Sequence, residues 1–109
     1  MKVPYSTLLF VCTGERCNDD KHGSERGEDI RAELKDHNKK LGRKRTVRIC
    51  AASCLDFCDS GPNMISYPEG IVYSGLDRAT ARAVYDAATG DGPPRPDLEL
   101  QPHVIEVPV

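Results

Sequence analysis

Five cysteines fall into two groups: Cys12 and Cys17 with four residues between them, then Cys50, Cys54 and Cys58 with three residues between successive members. Thiolate sulfur is a soft ligand, and each short spacing lets two sulfurs of one loop reach a common metal centre. The chain starts Met1-Lys2-Val3-Pro4-Tyr5, without the long apolar region and small-residue cleavage site of a secretory leader. A reducing cytoplasmic address is therefore expected, where an odd number of cysteines serves metal or redox chemistry better than structural disulfides. Two loops supply four ligands and leave one cysteine over. Four thiolates suit a single tetrahedral zinc and a 2Fe-2S cluster equally, so ligand count does not separate them. The tight Cys-x2-Cys knuckles of zinc ribbons are absent, as are the cysteine runs of bacterial and plant-type ferredoxins and the Cys-x2-Cys pair of thiol oxidoreductases.

These cysteines must be positioned by a small fold. The chain has 109 residues, of which 39% are hydrophobic and 29% charged, with no tryptophan, so a single domain with a lean aliphatic core is expected. The apolar run from Thr7 to Cys12 reads as a central strand that opens into a polar loop, Thr13 to Asp20, bracketed by the first cysteine pair. Ser24 to Leu41 carries Ile30, Leu34 and Leu41 on one helical stripe, with Ser24 as N-cap and Gly42 as stop. Val47 to Ala51 reads as a second strand, followed by a loop from Ala52 to Pro62 that holds Cys54 and Cys58. Met64 to Tyr67 and Ile71 to Tyr73 flank Pro68-Glu69-Gly70 and should close as an antiparallel hairpin. Asp77 caps an alanine-rich helix, Arg78 to Thr89, that presents Val84, Ala87 and Ala88 to the sheet and stops at Gly90. The remainder, residues 91–109, is expected to be a proline-rich spacer with an acidic tail, in which His103 to Val107 either extends a sheet edge or stays mobile.

A right-handed strand-helix-strand crossover makes the first two strands parallel, and the hairpin adds antiparallel neighbours. The expected architecture is α/β: a mixed four-stranded sheet with two packed helices over residues 1–90, an arrangement that resembles a thioredoxin-like domain. Both cysteine loops then leave the carboxyl ends of parallel strands and share one edge of the sheet.

The family resemblance lies in Phe10-Val11-Cys12-Thr13-Gly14-x-x-Cys17, in Ser53-Cys54-Leu55-x-x-Cys58-x-x-Gly61-Pro62-Asn63, and in Tyr67-Pro68-Glu69-Gly70-Ile71-Val72-Tyr73. In these residues the chain resembles the thioredoxin-like [2Fe-2S] ferredoxins, a family similar to the small 2Fe-2S subunit of respiratory complex I. The likeness spans Leu8 to Thr89. It implies that Cys12, Cys17, Cys54 and Cys58 ligate the [2Fe-2S] cluster, and that the chain carries single electrons between redox protein partners, as a homodimer in some relatives. Cys50 shares the spacing of its neighbours but sits within a strand, where a thiol is an ordinary small hydrophobe. Thr13-Gly14 and Ser60-Gly61 offer close backbone approach at the cluster, and the Thr13 and Ser53 hydroxyls are positioned either to reach sulfur or to cap local backbone.

Charge narrows the partners. Fifteen basic and 17 acidic residues leave a net charge of -2, the wrong sign for a chain whose main work is covering nucleic acid, and no apolar run is long enough to cross a bilayer. Glu15, Asp19, Asp20, Asp56 and Asp59 crowd the expected metal edge, where they suit a basic electron-transfer partner. Lys39, Lys40, Arg43, Lys44, Arg45 and Arg48 form the opposite pattern, six cations in ten residues with no acid between them, which is either a solvated helix end or a docking patch. His22, His37 and His103 lack the paired arrangement of a Rieske site and read as surface residues. No hydrolytic or group-transfer motif is present, so an electron-transfer protein rather than an enzyme is expected. The alternatives are a four-cysteine zinc-stapled interaction module, which would bind through the basic stretch, and a metal-free thiol redox sensor.

Overall fold

Short runs rich in apolar and β-branched residues produce four strands in the computed structural model, which describes residues 1–53 and 61–100. They are β1 (Thr7–Cys12), β2 (Val47–Ala52), β3 (Met64–Tyr67) and β4 (Ile71–Tyr73), in the order β2-β1-β3-β4. β1 pairs parallel with β2, Thr7 opposite Val47 through Cys12 opposite Ala52. β3 lies antiparallel on the other side of β1, and the hairpin to β4 closes as the turn residues require, through a cis Tyr67–Pro68 bond. Two helices, α1 (Gly27–Lys40) and α2 (Arg78–Thr89), complete a thioredoxin-like α/β architecture.

Both helices pack on one face of the sheet. Leu9 and Val11 of β1, Val47 and Ile49 of β2, Met64 of β3 and Tyr73 of β4 form one core with Ile30 and Leu34 of α1 and Ala81, Val84 and Tyr85 of α2. Truncating a fully buried member such as Leu34 to alanine costs about 2–5 kcal/mol by the usual cavity relation. A polar pin crosses this layer: the Tyr85 hydroxyl donates to Asn38 Oδ1 at 2.7 Å, and Asn38 Nδ2 donates to the Val47 carbonyl at 3.0 Å, joining α2, α1 and β2. Strand alternation sends Leu8, Phe10, Cys50, Ile65 and Val72 to the opposite face, where they are half-buried.

Two details of the helices differ from expectation. α1 begins at Gly27 rather than after Ser24, because Asp29 accepts from the Arg26 backbone N–H at 3.1 Å and fixes Arg26 as the cap. Leu41 is not on the buried stripe; it follows the last helical turn and is 43% exposed, since the chain has already turned toward Gly42. α2 begins as its cap predicts, with Asp77 accepting from the Thr80 N–H at 2.7 Å, and Gly90 ends it. Beyond the proline segment, Leu98 packs against the core, Glu99 bridges Tyr73, and the Leu100 N–H bonds to the Val72 carbonyl at 2.8 Å, so residues 98–100 run along β4. The expected strand at residues 103–107 lies outside the described residues.

Candidate metal centre

The carboxyl end of β1 is where the first cysteine pair begins. The Cys12 N–H donates to the Asn63 carbonyl at 3.0 Å, and the Thr13 N–H donates to the Ala52 carbonyl at 2.7 Å. The Thr13 hydroxyl reinforces the second contact at 2.9 Å, so it stitches backbone rather than facing sulfur. The exit of β1 is thereby held between the end of β2 and the entry to β3.

From there the loop turns back onto α1. Asn18 Oδ1 accepts from the Glu28 N–H at 2.8 Å, satisfying one of the unpaired donors at the helix start, and the Gly27 N–H donates to the Cys17 carbonyl at 2.7 Å. Gly27 is required by contact: a Cβ there would run into the Cys12 carbonyl oxygen and would lie 3.5 Å from Cys17 Cβ. The backbone of both cysteines thus closes over a position without a side chain. Cys12 and Cys17 are each wholly buried.

Asn63 completes the arrangement from the far side. It is 1% exposed, and its Nδ2 lies 3.5 Å from Cys17 Sγ and 3.3 Å from the Gly61 carbonyl. Its Oδ1 is buried with no hydrogen-bond partner among the described residues. Gly61 adopts a φ of 82°, which brings its carbonyl within 3.8 Å of Cys17 Sγ. Gly14, by contrast, is not among the residues of positive φ. An amide N–H aimed at buried sulfur stabilises the thiolate, and buried thiolates are tolerated where a metal shares their charge. These thiols and the Asn63 donor fit a thiolate-bound metal centre.

Cys54 and Cys58, with Asp56 and Asp59, lie outside the described residues. The two ends of their segment are described: the chain leaves at Ala52 and Ser53, beside Thr13, and returns at Gly61 to Asn63, against Cys17. Cys50 sits opposite Phe10 in the β2–β1 register, two residue pairs before Cys12 opposite Ala52, and among the described residues it joins no cluster of three potential ligands. Glu15, Asp19 and Asp20 are exposed around this end of the sheet. His22 is tied to the same loop through a ring nitrogen 2.9 Å from the Arg16 carbonyl, while His37 packs edge-on against Tyr85, 5.0 Å between ring centres, between the helices rather than on open surface.

Sequence reasoning passed over the roles of Gly27 and Asn63. A glycine at the first position of a helix, where better helix formers abound, signals close backbone approach. An asparagine entering a strand behind Gly-Pro signals a side-chain donor.

No protein-family model and no curated protein matches the chain. Solved structures do. The wild-type thioredoxin-like [2Fe-2S] ferredoxin from Aquifex aeolicus superposes with a TM-score of 0.74 at 18% identity, covering 89% of this chain and 98% of that one. Two serine-for-cysteine variants of the Aquifex aeolicus protein superpose at TM-scores of 0.73 and 0.72, each at 16% identity over 87% of this chain and 98% of the other. The fold of the chain is that of the thioredoxin-like [2Fe-2S] ferredoxins.

Proposed function

We propose that this chain is a soluble, cytoplasmic one-electron carrier, not an enzyme, that holds a [2Fe-2S] cluster through Cys12, Cys17, Cys54 and Cys58 and exchanges electrons with protein redox partners. The observation that carries this reading is the stitching of the two cysteine loops: Thr13 to Ala52, Cys12 to Asn63, and Cys17 Sγ to Asn63 Nδ2. It keeps both ends of the segment bearing Cys54 and Cys58 against the first cysteine pair. The electron-carrier names of the structural neighbours point the same way.

When bound, such a cluster supplies one reversible electron. The protein's own residues do the rest. Cys12 and Cys17 sit wholly buried, which excludes water from their sulfurs. Asn63 holds an N–H toward Cys17 Sγ and favours the more negative state of that ligand. Hydrogen bonds at the ends of β1, β2 and β3 keep the surrounding backbone fixed, so little reorganisation accompanies a change of charge. The exposed Glu15, Asp19 and Asp20 attract a partner with a basic docking face. A domain over residues 1–90 with a tail over 91–109, of which residues 98–100 fold back along β4, and a homodimer as the working form, belong to the same proposal.

The test is analytical. Purified protein is assayed for iron, zinc and acid-labile sulfide, and its visible and electron paramagnetic resonance spectra are taken before and after reduction. Iron and sulfide in equal amounts, with absorption that bleaches reversibly, is the expected result. A colourless protein carrying zinc without sulfide would end the electron-carrier reading in favour of a zinc-stapled module.

A further inference from the structure

A second surface lies at the other end of α1 from Gly27, along the outer edge of β2, the strand that also carries Cys50. There, between the last turns of α1 and the outer edge of β2, a concavity of 160 Å³ is lined by Lys35, Asn38, Lys44, Val47, Arg48 and Ile49. It contains three exposed cations and no acid. Neighbouring cations are neutralised internally, Lys40 by Asp36 at 2.9 Å and Arg43 by Asp91 at 2.7 Å. Lys35, Lys44 and Arg48 form no ion pair among the described residues. In a chain whose net charge is -2, this is a local inversion of sign.

The backbone beside these cations is an open sheet edge. β2 is the outermost strand and pairs only with β1 among the described strands. The carbonyls of Thr46 and Ala52 accept from β1 and its flanks, so even-numbered residues of β2 face inward and odd-numbered ones outward. Val47 is already satisfied: its N–H donates to the Arg43 carbonyl at 2.9 Å, and its carbonyl accepts from Asn38 Nδ2 at 3.0 Å. Alternation turns the N–H and C=O of Ile49 and Ala51 outward, with no described strand beside them; Ile49 is 6% exposed and Ala51 is exposed, so the edge opens toward Ala51.

We infer that this groove is a docking site for an extended acidic segment of a partner protein, which pairs with the outer edge of β2 at Ile49 and Ala51 while its carboxylates meet Lys35, Lys44 and Arg48. Strand addition explains why open backbone and unneutralised cations coincide, and charge complementarity selects the acidic chain. Nucleic acid and an anionic membrane would use the cations but not the strand edge. The inference is independent of the metal centre and does not require the cluster.

The probe is a short fluorescein-labelled peptide of alternating glutamate and valine, titrated against the full chain by anisotropy. Saturable binding that weakens as salt rises is expected. The triple variant Lys35→Glu, Lys44→Glu, Arg48→Glu, checked for folding by circular dichroism, should bind about tenfold more weakly or worse, since each exposed pair contributes modestly and three act together. In the wild-type chain, amide resonances of Ile49 and Ala51 should shift on peptide addition. Equal affinity in the triple variant, unmoved Ile49 and Ala51 amides, or displacement of the peptide by a single-stranded oligonucleotide or phosphatidylserine vesicles at lower concentration would each overturn the proposal.

Discussion

The side-chain amide of Asn63 lies 3.5 Å from the sulfur of Cys17, although the two residues are 46 positions apart, and the Asn63 main-chain carbonyl takes the N–H of Cys12. One residue therefore touches both cysteines of the first loop, one through its side chain and the other through its backbone.

Replacing Asn63 with leucine removes the N–H donor while filling most of the volume. A hydrogen bond contributing about 0.5–1.5 kcal/mol more to the reduced state than to the oxidised one corresponds to about 20–60 mV for one electron, so Asn63→Leu should lower the reduction potential by that amount. A spectroscopic redox titration reads it directly. An unchanged potential in a fully loaded variant would show that the amide does not act on the sulfur.

Gly27→Ala separates close packing from helix propensity. Alanine is favoured over glycine in a helix by about 1 kcal/mol, which alone predicts a more stable protein. The Cys12 carbonyl oxygen occupies the space a Cβ would need, so the opposite is expected: a loss of roughly 1–3 kcal/mol, a melting temperature lower by about 4–20 °C, and poorer iron retention. A higher melting temperature would count against the backbone contact at Gly27.

Cysteine variants divide the five thiols. Serine at Cys12, Cys17, Cys54 or Cys58 should lower iron content or alter the visible spectrum, whereas Cys50→Ser should load normally, because Cys50 stands within β2 opposite Phe10. Iron and sulfide analysis of the five variants checks this. Normal loading of Cys58→Ser, or failure of Cys50→Ser, would require the ligand set to be redrawn.

Acid stability carries a signature of the α2 cap. The Thr80 backbone N–H, then the Thr80 hydroxyl, hold the Asp77 carboxyl below the usual carboxylate range. A pKa lower in the folded state means that its contribution is present above the unfolded value, near pH 4, and is lost as pH falls through the lowered folded value. Asp77→Ala should thus cost about 1 kcal/mol at neutral pH, and the difference from wild type should shrink steadily in acid. Paired denaturant titrations across pH test it, and a difference that stays constant into acid would contradict the assignment.

Much of this architecture was legible in the sequence because local patterns and tertiary demands agree. The run Thr7 to Cys12 is apolar throughout because β1 is central, flanked on both sides by strands. Tyr67-Pro68-Glu69-Gly70 announced the hairpin, and Asp77 announced α2. Ser24 misled because it is a good cap in isolation, while the Arg26–Asp29 contact and the anchoring of Gly27 to Cys17 set the helix start. At the site, cysteine spacing with the family resemblance singled out Cys12, Cys17, Cys54 and Cys58; the structure buries the first two at the end of β1, and the other two lie outside the described residues. What the spacing could not convey was Asn63, whose role arises from the pairing of β1 with β3 and not from any neighbour in the chain.

The hydrogen bonds from Cys12 to Asn63 and from Thr13 to Ala52 also impose an order on biogenesis. A chain emerging from the ribosome displays its first two thiols early, yet their lining exists only after three strands have been laid side by side. For the proposed cluster, loading is accordingly expected only after β3 has been made, at Tyr67 of 109 residues, and is closed to a fragment that stops before Asn63.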